Sequence, residues 1–257
     1  MAAGKTAAWR NPSYLQSSFG IFMFFCSWGI WWSFFRIWFE SLGLSGTEVG
    51  TIYSINSAAT MIIMFAYGVI QDQLGIKRKL VIVVSVIAAL VGPFVQFVYA
   101  PMISAGGTTR WIGTLIGSIV LSAGFMAACS LFEAVTERYS RKFNFEYGQS
   151  RAWGSFGYAI VALCAGFLFN ISPMINFWIG TACGLGMLCI YAFWVPSEQK
   201  EELRKEADPN AEKTNPSFKE MVGVLKMPTL WVLIVFMLLT NTFYTVFDSS
   251  QDRKSVV

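Results

Sequence analysis

Long apolar stretches, separated by short polar ones, run along most of the sequence. Each is roughly 20 residues long, the length that a helix needs to cross the hydrocarbon core of a bilayer. Because no water satisfies the backbone there and the runs are continuous rather than alternating, they predict helices and not a β-barrel. The sequence therefore predicts an all-α integral membrane protein with seven spans: Ser17–Phe39, Thr47–Gln71, Leu80–Tyr99, Trp111–Val135, Gly148–Phe169, Met174–Val195 and Leu230–Phe247.

Local signals refine these spans. Ser45 and Glu48 have the spacing of a capping box and predict the start of span two. Pro93 predicts a kink in span three, because proline lacks an N–H and clashes with the preceding turn. Glycine pairs with GxxxG spacing predict close helix packing in spans four and six: Gly113 with Gly117, and Gly180 with Gly184.

The polar segments divide the chain into three parts. Residues 1–195 carry six spans, residues 196–227 are rich in Lys and Glu and predict a flexible cytoplasmic linker, and residues 228–257 hold span seven and a polar tail. Lys and Arg are concentrated near the amino terminus, after spans two and four, and in the linker. Cytoplasmic loops carry such an excess, so the amino terminus is predicted to be cytoplasmic.

Composition argues against several functional classes. Hydrophobic residues make up 55% of the chain, and the basic residues behind its net charge of +4 lie in separate loops, which argues against nucleic-acid binding. The five cysteines fall within spans without metal-ligand spacing, and the sequence contains no histidine, no phosphate-binding loop and no G-x-S-x-G elbow. We therefore expect neither an enzyme nor a metal or cofactor site.

Two charged residues of opposite sign fall within consecutive apolar spans. Glu133 lies near the end of span four and Arg151 near the start of span five. An ionisable side chain at membrane depth costs roughly 2.5 to 3.5 kcal/mol or more, so such residues are expected to pair and to be functional. Arg151, Ser155 and Tyr158 are spaced i, i+4 and i+7, which places them on one helix face. A helix face that carries charged donors, a hydroxyl and an aromatic ring is suited to binding a sugar.

Other polar and aromatic residues within spans have two interpretations each. Trp28 and Trp31 are either packing residues or aromatic plates for a ligand, and Trp38 fits the aromatic belt at the membrane interface. Asn56 either forms an interhelical hydrogen bond or contacts a ligand.

The connection after span two carries a distinctive pattern, GVIQDQLGIKRK. Gly68 permits close helix approach, Gly75 permits a turn, and Asp72 can pair with Lys77, Arg78 or a neighbouring helix N-terminus. Because this segment is predicted at the cytoplasmic end of span two, we expect these five residues to serve gating rather than substrate binding.

These motifs resemble those of the oligosaccharide/proton symporters of the major facilitator superfamily, which include the lactose, melibiose and sucrose permeases. Among these the similarity is greatest to bacterial sucrose permeases. The shared stretches are SWGIWWSFFRIW, LGLSGTEVGTIYSIN, YGVIQDQLGIKRK, FNFEYGQSRAWGSFGYA, NISPMINFW and FYTVFD.

The resemblance implies the amino-terminal six-helix half of a twelve-helix fold, followed by helix seven, with sugar bound between two halves. It also implies that Glu133 and Arg151 bind sugar hydroxyls and that Tyr158 stacks on the sugar. Lactose permeases have Trp at the Tyr158 position, Cys at the Ser155 position and Asp at the Thr245 position, so the resemblance implies a departure from them toward sucrose permeases.

The expected function is proton-driven uptake of a disaccharide, with sucrose as first candidate and lactose, melibiose or raffinose as alternatives. The expected partners are the sugar, the proton as coupling ion and the lipid bilayer of the bacterial inner membrane, and the whole symporter is expected to be monomeric. The residues after Asp248 depart from the family pattern, which predicts a chain truncated after helix seven. The rival interpretation is a membrane fragment that does not transport.

Overall fold

The computed structural model describes residues 8–74, 78–206 and 227–252, and every regular element in these ranges is helical. Five of the described helices are long and apolar enough to cross a membrane, and a bent pair makes a sixth. The predicted all-α membrane architecture is confirmed for this part of the chain. The six spans are Pro12–Ser41, Gly46–Ile70, Arg78–Ala89 with Val91–Ala105, Gly107–Lys142, Tyr147–Ile171 and Pro173–Phe193.

Span one begins earlier than predicted, at Pro12 rather than Ser17. Asn11 is its N-cap, because the Asn11 side-chain oxygen accepts hydrogen bonds from the amides of Ser13 at 3.0 Å and Tyr14 at 3.2 Å. Proline at the first helical position completes a common start signal. The helix breaks at Ser33 and Phe34 and resumes over Phe35–Ser41.

Span three bends by 51° between Arg78–Ala89 and Val91–Ala105, which confirms the predicted kink. The break falls at Leu90, just after Ala89, because the ring of Pro93 would clash with the carbonyl four residues earlier. The amide of Gly92 donates instead to the hydroxyl of Thr181 in span six, at 2.8 Å.

Span four extends to Lys142 instead of ending at Val135. The polar end was predicted to be a loop, but Val135, Thr136, Tyr139 and Ser140 keep one face buried, and Arg141 pairs with Glu137 one turn earlier. Span four also contains a π-helical segment, Ser122–Met126, between Gly107–Leu121 and Ala127–Lys142.

Glycines set the closest helix contacts. A Cβ atom at Gly184 would lie 2.6 Å from backbone atoms of Ala88 and Ala89, and one at Gly180 would lie 2.9 Å from the Ser27 carbonyl. One at Gly117 would overlap the ring of Tyr99. The close packing predicted from the GxxxG pairs is therefore confirmed, and so is the capping box, in which Ser45 and Glu48 each bind the other's backbone amide.

The core lies where spans one, three, four and six meet. Its largest members are aromatic and at most 2% exposed, and they include Trp31, Phe35, Trp38, Phe39, Tyr99, Phe125 and Phe177. The expectation that Trp38 belongs to an interfacial belt is wrong, since its ring stacks on Phe35 with centroids 5.6 Å apart. Neighbouring residues of span one and residues of span six enclose the ring of Trp38.

The predicted linker is in part regular. Residues Ser197–Glu206 form a helix because the segment SEQKEELRKE is rich in good helix formers, and residues 207–226 lie outside the described part of the chain. The chain divides into two compact units, 1–211 and 212–257. In the second unit, helix Pro228–Asp252 contains the predicted span seven, and Pro228–Phe243 is apolar.

Candidate functional site

Glu133 and Arg151 form the predicted ion pair. Arg151 Nε donates to Glu133 Oε1 at 2.7 Å. The longer span four places Glu133 nine residues before the helix ends at Lys142, whereas Arg151 lies in the second turn of span five. Both side chains remain partly accessible, with 28% of Arg151 and 35% of Glu133 exposed. The pair is therefore fixed in position but open to a ligand.

Two further contacts orient the guanidinium. Nη1 donates to Ser155 Oγ, one turn along span five, at 3.2 Å. The guanidinium carbon lies 4.4 Å from the ring centroid of Phe25 in span one, within the range of a cation–π interaction. A Cβ atom at Gly154 would lie 2.7 Å from the ring of Phe25, so this glycine permits the close approach of spans one and five.

This arrangement leaves polar atoms available for a ligand. Among the described residues, Nη2 of Arg151 and Oε2 of Glu133 have no hydrogen-bond partner. A cationic donor and an anionic acceptor side by side match the paired hydroxyls of a sugar, and charge-assisted hydrogen bonds are the strong ones.

Two more aromatic rings lie along the helix faces that carry Phe25 and Arg151, and the ring of Trp28 lies 6.0 Å from that of Phe25. Trp28 and Tyr158 meet edge to face with centroids 6.5 Å apart, and both are partly buried. Trp31 is 1% exposed and stacks on Phe177 at 5.7 Å, so it is a packing residue. The structure thus gives different environments to Trp28 and Trp31, which the sequence does not distinguish.

Span one makes room for Tyr158 and holds its hydroxyl. A Cβ atom at Gly29 would lie 2.6 Å from the ring of Tyr158. Ser33 Oγ donates to the carbonyl of Gly29 at 2.9 Å and lies 3.4 Å from the Tyr158 hydroxyl. Tyr158 therefore lies against the backbone of span one.

Asn56 lies apart from the Glu133–Arg151 pair. It is 1% exposed, and its backbone carbonyl accepts hydrogen bonds from Thr60 Oγ1 at 2.8 Å and Ser122 Oγ at 3.2 Å. Its side-chain amide has no hydrogen-bond partner in the described part of the chain. Ser122 precedes Glu133 by 11 residues, or about 16 Å along a helix. The structure does not bring Asn56 together with the ion pair.

Of the segment proposed for gating, Arg78 is the best described. It donates to the carbonyls of Tyr191 at 2.8 Å and Ala192 at 2.7 Å, and so caps the end of span six. Gly68 is exposed, and a Cβ atom there would meet nothing within 4 Å among the described residues, so the expected close approach is not seen there. Span two is only 17% buried, which explains the open space.

The side chains of the other three residues of that segment lie outside the part of the chain that the structure describes. Asp72 lies in the last turn of helix Gly46–Leu74, but its side chain lies outside the described residues. Gly75 and Lys77 lie outside them entirely.

Sequence reasoning missed three residues of span one at this site, Phe25, Gly29 and Ser33. They are spaced i, i+4 and i+8 around Trp28, so they share one face. That periodicity was a usable signal, but the many aromatic residues of span one obscured it. Cys129 was also missed: its sulfur lies 3.9 Å from Glu133 Oε1, one turn earlier in span four.

In the described part of the chain, six membrane-spanning helices and a partly exposed ion pair between two of them define a multi-pass membrane protein with a polar site, an arrangement typical of a transporter. The chain belongs to the LacY proton/sugar symporter family, whose model matches residues 6–253. Members of this family are transporters, not enzymes. The predicted fold class, the amino-terminal six-helix half of a major facilitator fold with a seventh helix, is confirmed.

Several curated relatives are sugar permeases. The chain is 39% identical to the sucrose permease of Escherichia coli over 93% of this chain and 55% of that protein. It is 30% identical to the raffinose permease of Escherichia coli over 93% of this chain and 56% of that protein. It is 30% identical to a lactose permease of Klebsiella oxytoca over 84% of this chain and 51% of that protein. The chain therefore spans about half the length of these relatives.

Proposed function

We propose that this chain supplies the sugar-binding side of a proton-coupled oligosaccharide symporter and that its substrate is a disaccharide, with sucrose as first candidate. The observation that carries the proposal is the Glu133–Arg151 pair, which is fixed at 2.7 Å while Oε2 and Nη2 remain available. Neighbouring hydroxyls of a sugar ring can donate to the carboxylate and accept from the guanidinium at once.

Tyr158, Trp28 and Ser155 complete the proposed sugar site. The two rings offer an apolar surface to the C–H groups of a pyranose, and Ser155 both contacts Arg151 and is exposed. The sequence also suggests Asn56 as a ligand contact. Its burial between spans two and four makes an indirect contribution the more reasonable role.

Transport adds further elements to the proposal. A proton gradient drives uptake, and Gly68, Asp72, Gly75, Lys77 and Arg78 act in gating at the cytoplasmic end of span two. The capping of span six by Arg78 supports this role, because it links the segment to a neighbouring helix. The protein lies in the bacterial inner membrane with its amino terminus in the cytoplasm and works as a monomer, with residues 196–227 as the linker between halves.

A complementation experiment tests the proposal. Residues 1–257 are produced in a strain that cannot take up sucrose, either by themselves or together with the part of the E. coli sucrose permease beyond the region they match. We expect sucrose-dependent alkalinisation of the medium with the complementing part, and little or none without it, because alternating access needs two halves around one site.

The control is the same pair of chains carrying Glu133→Gln. It keeps the shape of the side chain but leaves the Arg151 guanidinium without a neutralising partner. Sucrose uptake by the Glu133→Gln protein at the wild-type rate would contradict the assignment. Uptake of lactose, melibiose or raffinose in place of sucrose would keep the site but change the substrate. Uptake by residues 1–257 without the complementing part would show that one half suffices.

A further inference from the structure

We propose that Tyr67 is a positioning residue for the sugar site, because its hydroxyl holds the π-helical segment of span four that sets Glu133 against Arg151. The proposal rests on the proposed function for the sugar itself. The geometric part of the proposal is that the Tyr67 phenol holds the π segment. This part does not depend on whether the chain binds a sugar.

The π segment leaves one carbonyl without its usual donor. In an α-helix the amide of Ala127 would bind the carbonyl of Ala123, four residues earlier. Here the Ala127 amide binds the carbonyl of Ser122, five residues earlier. Ala123 therefore loses its α-helical partner, as happens where one additional residue is accommodated in a helix.

Tyr67 replaces that partner. Its hydroxyl donates to the carbonyl of Ala123 at 2.7 Å, across the interface between spans two and four. A backbone carbonyl without a donor is costly at membrane depth, where water does not compensate. The phenol therefore stabilises the π geometry relative to a regular α-helix.

Span two holds the same segment at a second point. Ser122 Oγ donates to the carbonyl of Asn56 at 3.2 Å, and Thr60 Oγ1 lies 2.9 Å from Ser122 Oγ. Asn56, Thr60 and Tyr67 are spaced i, i+4 and i+11, which is one face of a helix. One face of span two thus contacts the first two residues of the π segment, Ser122 and Ala123.

The π segment determines the direction in which Glu133 points. Each residue of an α-helix turns the chain by about 100°. If the additional residue moved out of Ser122–Met126, the following helix Ala127–Lys142 would rotate relative to Gly107–Leu121. Glu133 lies on the rotating part and Arg151 on another span, so their 2.7 Å contact depends on the π segment.

Hydrogen–deuterium exchange on residues 1–257 in detergent micelles tests the geometric part. Tyr67→Phe removes the hydroxyl and keeps the ring, and Tyr53→Phe is the matched control. Tyr53 is also on span two, and its ring packs on Trp32 at 5.7 Å. We expect exchange of the amides between Ala123 and Glu133 to become about tenfold faster in Tyr67→Phe, with no change in Tyr53→Phe.

Sucrose affinity of the complemented protein tests the link to the sugar site. Loss of one neutral hydrogen bond should weaken sucrose binding by about 3- to 10-fold in Tyr67→Phe and leave Tyr53→Phe unchanged. Deleting Ala123 removes the additional residue and lets span four continue as an α-helix with Glu133 in place. In that background Tyr67→Phe should have no further effect on affinity or exchange.

The outcomes separate the two proposals. Unchanged exchange in Tyr67→Phe, or faster exchange spread equally over spans five and six, would overturn the positioning role. Faster local exchange with wild-type sucrose affinity would overturn it as well. If the wild-type protein bound no sugar, the proposed function would fail, while the exchange of Tyr67→Phe with and without Ala123 would still decide whether the phenol holds the π segment.

Discussion

Span one has two faces with similar aromatic residues but different surroundings. On one face Trp31, Phe35 and Trp38 pack against span six and are at most 2% exposed. On the other face Phe25 meets Arg151 of span five, and Trp28 and Ser33 meet Tyr158 of the same span. The first face is a dry aromatic core, and the second borders charged and hydroxyl groups that remain partly open.

The difference lies in what the facing helix supplies. Span six presents Phe177 and glycines that let backbones approach, so the aromatic rings there fill space. Span five presents Arg151, Ser155 and Tyr158, whose polar atoms need partners. Aromatic content therefore does not identify a ligand site in a membrane helix, and the proposed sugar site rests on the aromatic face opposite the ion pair.

The core face should dominate stability. Trp31→Ala leaves a large cavity among Phe35, Phe125 and Phe177 and should lower the free energy of unfolding by about 3 to 5 kcal/mol. The midpoint of denaturant-induced unfolding in detergent micelles measures this. Equal losses in Trp31→Ala and Trp28→Ala would show that the two faces are not energetically distinct.

The site face should dominate binding. Arg151→Lys retains the charge but replaces a planar fork by a point charge, which cannot contact Glu133, Ser155 and a ligand together. We expect sucrose affinity of the complemented protein to fall at least about 100-fold, or about 2.7 kcal/mol, with little change in unfolding midpoint. Binding of radiolabelled sucrose measures the loss, and near wild-type affinity would contradict the proposed role of Arg151.

Much of the fold was predictable because it depends on local pattern. Apolar length located the six spans, Pro93 located the bend, and paired glycines located several of the close helix contacts. The ion pair was also predictable, since two charges near apolar spans are each expected to find a partner. Span ends were less predictable. The Asn11 cap extended span one, and a buried face together with the Arg141–Glu137 pair extended span four beyond its apolar stretch.

What could not be predicted depends on which faces meet. Trp28 and Trp31 are three residues apart and of one type, and packing against different helices separates their roles. The π segment of span four has no obvious sequence signal, because the hydroxyl that compensates it belongs to Tyr67, 56 residues away from Ala123. Asn56 illustrates the same limit, since its polarity suggested a ligand contact and the fold buries it.

Trp28→Ala should affect binding more than folding. Trp28 is partly buried and meets Tyr158 at the rim of the site, so the mutation removes apolar surface available to a sugar ring. We expect about a tenfold loss of sucrose affinity, by the usual size of an aromatic contact, with a smaller loss of stability than in Trp31→Ala. Trp28→Phe is the control and should recover most of the affinity.

The smallest expected effect concerns Ser33, which orients Tyr158 without being proposed to touch the sugar. The Ser33 hydroxyl has one proton and donates it to the carbonyl of Gly29 at 2.9 Å. In the 3.4 Å contact with Tyr158, the phenol must therefore donate and Ser33 accept. The phenol proton is thus used within the protein, and the phenol oxygen is left as an acceptor towards a ligand.

Ser33→Ala frees that phenol proton and lets the ring of Tyr158 reorient. We expect sucrose affinity to fall by about two- to fivefold, because the 3.4 Å contact is a long and weak hydrogen bond. Ser33→Thr keeps the hydroxyl and should bind as the wild type does. In a Tyr158→Phe background, where no phenol remains to orient, Ser33→Ala should have no further effect on affinity. Additive losses in that double mutant would mean that Ser33 acts independently of Tyr158, through the break in span one at which it lies.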